Sequence, residues 1–322
     1  MDDLADTYQA QFARRWGHLR QPHVRTLAWL LDAPDLLDPH DPYWEHKIAS
    51  LGEVAPDVAR WLAQLDADPS LLEASLGART YTRLGLYAEK LMAFYFRERG
   101  ELVAHGLQVR SSRNDTVGEF DFLLDAGEAG VEHIEFATKF YLLEGASASR
   151  FDTFVGPNLA DSLGAKMRKI FTRQLELGMH PAAQALLERP VIRARALVKG
   201  WLFYPAGGHE PMAGVSAQHC RGFWCALAEV PALSQERFVV LPRMQWLAPY
   251  RGDGADAVLG KDGLRLALAG AEMPSLVAAV REEGGAVIET ARGFIVPDTW
   301  RARAALGIRT GKRGQTGHVD HH

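Results

Sequence analysis

Residues 118–124, GEFDFLL, and 131–142, VEHIEFATKFYL, are two alternating apolar runs joined by the glycine-containing turn Asp125–Gly130. Side chains of a strand alternate between faces. In the first run Glu119, Asp121 and Leu123 share one face, and Phe120, Phe122 and Leu124 the other. In the second, His133, Glu135, Ala137, Lys139 and Tyr141 share a face, with Ile134, Phe136, Phe140 and Leu142 turned to the core. A hairpin of these strands sets Asp121 beside Glu135, both among apolar neighbours. Two carboxylates so placed repel, and one holds a proton unless a cation intervenes. Hard cations such as Mg²⁺ take oxygen ligands and keep several waters, and a cation held this way orients a water and stabilises charge on a phosphate. The ammonium of Lys139, on the same face, completes an acid, acid and lysine set suited to that chemistry.

Outward from the hairpin, Thr82–Arg99 reads as a long helix, with Leu84, Tyr87, Leu91, Phe94 and Tyr95 at helical steps and Gly100 closing it. Glu89 lies on a face with Gly85, Met92 and Ala93, where an acid needs a partner; an exposed acid paired with Arg97 or Lys90 is the plainer reading. Leu102–Arg110 reads as a strand, Ser111–Val117 as a polar turn, Asn158–Gly178 as a helix and Arg193–Tyr204 as a strand ended by Pro205. Helix, three strands, helix, strand is therefore the expected order over residues 81–205.

These residues resemble the PD-(D/E)XK (restriction-endonuclease-like) nuclease superfamily. The resemblance rests on a helix carrying R-x-G-x-x-x-E at Arg83–Glu89, a G-E-x-D strand at Gly118–Asp121, and a strand bearing an acid and a lysine. It implies an αβββαβ core, with Glu89, Asp121 and Glu135 as ligands of Mg²⁺ or Mn²⁺ and Asp121, Glu135 and Lys139 as catalytic residues. The superfamily pattern is acid-x-lysine, whereas here Ala137 holds the lysine position and Lys139 follows one strand repeat later, about 6.6 Å along. More narrowly, HLRQPHVRTLAWLL (18–31), KFYL (139–142) and FVGPNLADSLGAKMRKIFTRQL (154–175) resemble a bacterial family catalogued as domain of unknown function 1853, a resemblance that brings no activity with it.

The helix after these strands carries Lys166, Lys169 and Arg173 at spacings of three and four, which aligns them on one side. Leu163, Met167, Ile170 and Leu177 form its apolar stripe and Gln174 lies at the stripe's edge. Lys166, Lys169, Arg173 and Gln174 are the expected nucleic-acid contacts, and the resemblance implies a polar residue of this helix near the metal. Asn158 is suited to cap the helix, and the FVGPN loop to present N–H groups to an anion. The segment 146–204 has nine Lys/Arg against four acids, within a chain of net charge −4. A local basic stretch in an acidic protein fits one phosphate backbone in one groove; a solvated basic helix face is the plainer reading.

Residues 1–80 read as a helical region, with Val24, Leu27, Leu30 and Leu31 in one helix and Val58, Trp61, Leu62 and Leu65 in another. Residues 206–310 read as an α+β extension, with strands at Gly222–Glu229, Arg237–Val240 and Ala286–Ile288 and a helix near Met273–Glu283. The polar tail 311–322, ending in HVDHH, reads as disordered. No apolar run approaches the ~20 residues of a membrane helix, the acidic N-terminus lacks the layout of a secretory signal, and two cysteines make no disulfide framework; a cytoplasmic protein is expected. Cys220 and Cys225 lack metal-ligand spacing, His133 reads as structural, and Trp201, Trp224, Trp246 and Trp300 read as core. The expected fold class is thus α/β (α+β), and the expected function a metal-dependent nuclease hydrolysing phosphodiester bonds in DNA or RNA. The alternative is a catalytically inactive nuclease-fold protein that binds nucleic acid or serves as an interaction scaffold.

Overall fold

The computed structural model describes residues 7–309, apart from 79, 113–114, 146–150, 206–210 and 253–257. The tail from Gly311 lies outside the described residues, as does the centre of the expected polar turn at Ser111–Val117.

Helices come first along the chain: α1 Tyr8–Trp16, α2 Pro22–Asp32, α3 Pro56–Ala67, α4 Ser70–Leu76 and α5 Leu84–Glu98. Prolines open α2 and α3, where a missing N–H costs nothing. Gly100, at φ +70°, ends α5: its N–H bonds Arg97 O and the Glu101 N–H bonds Phe96 O, a Schellman closure. Next come β1 Leu102–Ser112, β2 Asp115–Asp125, β3 Val131–Leu143, β4 Phe154–Val155, α6 Leu163–Lys169, α7 Pro181–Leu186 and β5 Val191–Pro205. The remainder holds β6 Cys220–Ala226, β7 Phe238–Val240, β8 Arg251–Gly252, α8 Lys261–Leu268, β9 Ser275–Glu283, β10 Ala286–Val296 and α9 Trp300–Arg309.

All the strands belong to one mixed sheet of order β1-β2-β3-β5-β6-β10-β9-β7, with β4 on β3 and β8 on β10. The pairs β1–β2, β2–β3 and β10–β9 are antiparallel, whereas β3–β5, β5–β6 and β6–β10 are parallel. The fold is therefore mixed α/β with a helical N-terminal region, as expected.

Two clusters cover the two faces of the central strands. Ile134, Phe136, Phe140 and Leu142 of β3 and Leu197, Trp201 and Phe203 of β5 pack with α1, α2 and α5. Ala137 and Tyr141 of β3 and Val198 and Leu202 of β5 pack with Leu163, Met167 and Ile170. Each wholly buried large side chain here is worth about 1.5–3 kcal/mol. Two buried ion pairs stitch the layers. Lys199 of β5 meets Asp35 at 2.8 Å and Ala33 O. Arg292 of β10 pairs with Glu289 at 2.7 Å, stacks over Trp201 at 4.1 Å, and donates to Ala248 O.

Two expected helices differ from the structure. Met273–Glu283 is not a helix; Ser275–Glu283 of it is β9, and its run Leu276–Val280 is buried because β10 and β7 flank it, Val277 and Ala279 pack with Leu264 and Leu268 of α8, and Leu276, Ala278 and Val280 join the main core. A short apolar run carries no period that separates the two states. The helix expected over Asn158–Gly178 starts later, at Leu163, with Ser162 as its cap, and turns π-helical over Ile170–Gln174. Asn158 instead accepts from the Ala160 N–H.

Candidate active site

β2 and β3 pair only from Phe122↔Ile134 to Asp125↔Val131. Beyond that point β2 follows β1 while β3 runs on beside β5, and the two strands diverge. Asp121 stands at the fork. Its Oδ2 accepts the Phe136 N–H at 2.9 Å, so a carboxylate closes the ladder where the next backbone acceptor is missing. Glu135, across the fork, is 1% exposed. Burial pushes Asp121 up to about 6, against the pull of the Phe136 N–H and with the charge of Glu89 adding to the rise. Burial and the neighbouring Asp121 push Glu135 up to about 8. At neutral pH the pair therefore keeps a proton.

The other wall comes from α6 and its π extension. Lys166 Nζ lies 3.6 Å from Glu135 Oε1 and donates to Gln174 Oε1 at 3.2 Å, while Gln174 Nε2 donates to the same Glu135 oxygen. Residues eight apart diverge in a continuous α-helix. The π turn absorbs one extra residue, which swings Gln174 onto the side of Lys166.

Glu135 Oε2 is buried with no hydrogen-bond partner, and His133 Nε2 lies 4.0 Å from it. Both His133 ring nitrogens are likewise unpartnered; burial holds its pKa down at about 4, and its ring meets Phe120 edge-on. His133 is thus a neutral ring walling the site.

Lys139, expected beside Glu135, has its nearest carboxylate elsewhere: Nζ lies 3.9 Å from Asp161 Oδ2, which also accepts the Tyr141 hydroxyl at 2.9 Å. Burial, then the neighbouring Lys166, lowers the Lys139 pKa. The loop bringing Asp161 is tightly wound: Gly156 N–H bonds Asp161 O, Leu159 sits at φ +60°, and a Cβ on Gly156 would stand 2.4 Å from Asp161 Oδ1. Lys169 and Arg173 are exposed on the same helix. The expected anion seat at FVGPN has no long helix behind it, since α6 spans seven residues.

Glu89 hydrogen-bonds His105 Nε2 of β1 at 2.7 Å, and neither Arg97 nor Lys90 is its partner there. It is close enough to raise Asp121. Among the described residues no three His, Cys, Asp or Glu side chains are grouped to hold a metal ion. The donor set a cation would find is therefore Asp121 and Glu135, with Glu89 joining only by leaving His105. Two neighbouring carboxyl groups whose pKa values are both raised, one with an unpartnered buried oxygen, fit a hard cation, since Mg²⁺ commonly takes one or two carboxylates and fills its sphere with water and phosphate.

Sequence reasoning missed His105, Asp161 and the closeness of Lys166 to Glu135. Ala137 was the available signal: a small residue between the acid and Lys139 leaves room for α6 to approach, and Ala137 packs in one cluster with Leu163 and Met167. Elsewhere Cys220 and Cys225 are buried free thiols, and His219 Nε2 meets the Tyr204 hydroxyl at 2.8 Å. Among the described residues no helix is long and apolar enough to cross a membrane.

No curated protein and no solved structure matches the chain. A family model, Domain of unknown function (DUF1853), matches residues 25–296, a span that takes in every element of the site from α5 to the π turn. The chain belongs to the DUF1853 family.

Proposed function

We propose that the protein is a metal-dependent nuclease, hydrolysing phosphodiester bonds in DNA or RNA on a PD-(D/E)XK-like core. The observation that carries this reading is the fork itself: two neighbouring carboxyl groups of raised pKa, Asp121 and Glu135, stand where β2 and β3 part, with the Lys166 ammonium 3.6 Å from Glu135. The succession α5, β1, β2, β3, α6, β5, interrupted by the two-residue β4 and the short α7, with β1–β2–β3 antiparallel and β3–β5 parallel, supports the nuclease-like core.

A divalent cation held by Asp121 and Glu135 would supply Lewis-acid stabilisation of the phosphate and an acidified water. The chain's own residues do the rest. Gln174 fixes the Glu135 carboxylate in one orientation. Lys166, nearer the acids than Lys139, places positive charge where negative charge accumulates on a phosphate. Lys139, set by Asp161 and Tyr141, takes the flank of the same face. Lys169 and Arg173, exposed beyond them, are placed to follow the phosphate backbone, and binding that depends on them weakens as salt rises.

Purified protein with Mn²⁺ should cut single- or double-stranded DNA or RNA, and Asp121→Asn should reduce cutting by on the order of 100-fold or more. Lys166→Met should cost more than Lys139→Met. Cleavage that survives Asp121→Asn would end this reading. Ala137 in the lysine position favours a second reading, binding without cleavage. Salt-sensitive binding by wild type with no turnover in any metal would select it.

A further inference from the structure

An aromatic cluster borders the face of the sheet that carries Glu135. Trp44, Phe151 and Phe171 pack in one cluster with Ala137 and Tyr141 of β3 and Met167 of α6. The Trp44 ring stacks on Phe171 at 5.0 Å and 17° and meets Phe151 at 5.4 Å. Tyr43 stands against both Trp44 and Phe151, edge-on to the first at 4.6 Å and tilted on the second at 5.6 Å. Trp44 is 5% exposed, whereas Tyr43 is 59% exposed. Most of the Tyr43 ring is therefore held out in water. It is also held still. Asp41 accepts the Tyr43 N–H at 2.9 Å through one oxygen and the Gly214 N–H at 2.6 Å through the other, and Trp44 Nε1 donates to Gly214 O at 2.7 Å. The chain then passes through two successive left-handed residues, Glu45 at φ +51° and His46 at φ +60°, a conformation that non-glycine residues adopt rarely and that gathers at functional turns.

Only α6 and its π extension separate this ring from the fork. Lys166 and Gln174 turn one flank of that segment to Glu135, and Phe171 turns another to Trp44. Lys169 and Arg173 are exposed on the same segment. The charge of Lys169 acts against the rise at Glu135 and adds to the fall at Lys139, which places it in the field of the fork. Arg168 turns to the aromatic side. It grips Asp152 with both Nη atoms at 3.0 and 2.9 Å, and that pair is closed. Phosphate contacts on the way to Tyr43 therefore fall to Lys169 and Arg173. The bases of a duplex are stacked on one another and offer no face to a protein ring, whereas those of a single strand do. A fixed, exposed ring beside a cationic ridge is the arrangement that holds a single strand by stacking and by charge together.

We infer that the substrate of the fork is a single-stranded nucleic acid, one base of which stacks on Tyr43 while its phosphates cross Lys169 and Arg173. The inference rests on the nuclease reading of the fork and names its substrate class.

The test is fluorescence anisotropy of the full chain in EDTA, where no cation supports cutting. The probes are oligothymidylate and oligouridylate of about 12 nucleotides and a DNA duplex of the same length. The single strands should bind more tightly than the duplex, and the tighter of the two distinguishes DNA from RNA. Tyr43→Leu keeps an apolar cover over Trp44 but removes the ring. It should weaken single-strand binding about tenfold and leave the duplex unchanged, while Tyr43→Phe should bind as wild type does. Lys169→Ala should weaken binding and flatten its dependence on salt. Unaltered melting temperatures separate loss of binding from loss of fold. Single-strand affinity unchanged in Tyr43→Leu, or a duplex bound as tightly as a single strand, would overturn the inference. Cutting in Mn²⁺, assayed separately, keeps the two readings apart. Asp121-dependent cutting with no effect of Tyr43→Leu on binding sinks this inference alone. Tyr43-dependent binding with no cutting in any metal sinks the nuclease reading and leaves a single-strand site.

Discussion

Glu135 and Asp121 bind more proton in the folded chain than in the unfolded one, where such groups titrate near 4.3 and 3.9. Their folded values of about 8 and about 6 lie above those references, so the native state holds the extra proton between roughly pH 4 and pH 8. Stability contributed this way is fully present below the unfolded values and is lost as pH rises through the folded ones. Glu135→Gln keeps an oxygen for Gln174 and Lys166 and removes the titration. It should therefore stabilise the protein by on the order of 2–4 kcal/mol above pH 8 and by little near pH 5, as read by denaturant unfolding at both values. An equal gain at both would show that the carboxyl is not the source. At this scale the sequence was readable where one strand period decides: Asp121 and Glu135 fall opposite because alternation and a short turn leave no other arrangement. Glu89 with His105 was not readable, since α5 and β1 meet through packing that no local spacing encodes. The same holds for Lys166, whose reach to Glu135 depends on how closely α6 settles over Ala137.

Among elements, β5 shows how tightly the sheet is drawn around the site. Gly200 pairs with Lys139, and a Cβ there would stand 1.9 Å from Lys139 O and 2.8 Å from its carbonyl carbon. Both are backbone atoms and cannot swing aside. Gly200→Ala should cost about 2–3 kcal/mol in unfolding free energy by forcing β5 off β3, and should displace the strand that carries Lys139. A denaturation midpoint equal to wild type would refute the close approach. The strands of this region were legible because their apolar runs and turns agree with one another, although the expected alternation fails at Phe120, which packs with Leu123 and not with Phe122 and Leu124. β9 was not, because Leu276–Val280 is apolar on both faces and a doubly covered strand loses the alternation that identifies it. The π turn was hidden for a different reason: its extra residue answers to the contacts of Lys166 and Gln174, and the spacing of the apolar stripe reads the same without it.

For the molecule as a whole, β5 and its neighbours set how far the parts depend on one another. Trp201 of β5 is wholly buried, stacks on Trp29 of α2 at 6.3 Å, and carries Arg292 of β10 on its ring. Phe203 meets Phe294 edge-on at 4.7 Å, and Trp201–Pro205 pairs with β6. A fragment of residues 81–205 would expose both aromatic rings and leave the long strand β5 with an open edge. Such a fragment should show no cooperative thermal transition, whereas the full chain should show one. A sharp transition for the fragment would make those residues an independent domain.

The bond from the Phe136 N–H to Asp121 ties chain architecture to occupancy. One side chain both fastens the seam between two strands and offers its oxygens to whatever enters the fork. An arriving cation must share or take over that acceptor, so a single backbone amide becomes a sentinel. Its deuterium uptake, set against that of its better-anchored neighbours along β3, would register a visitor before any product is made.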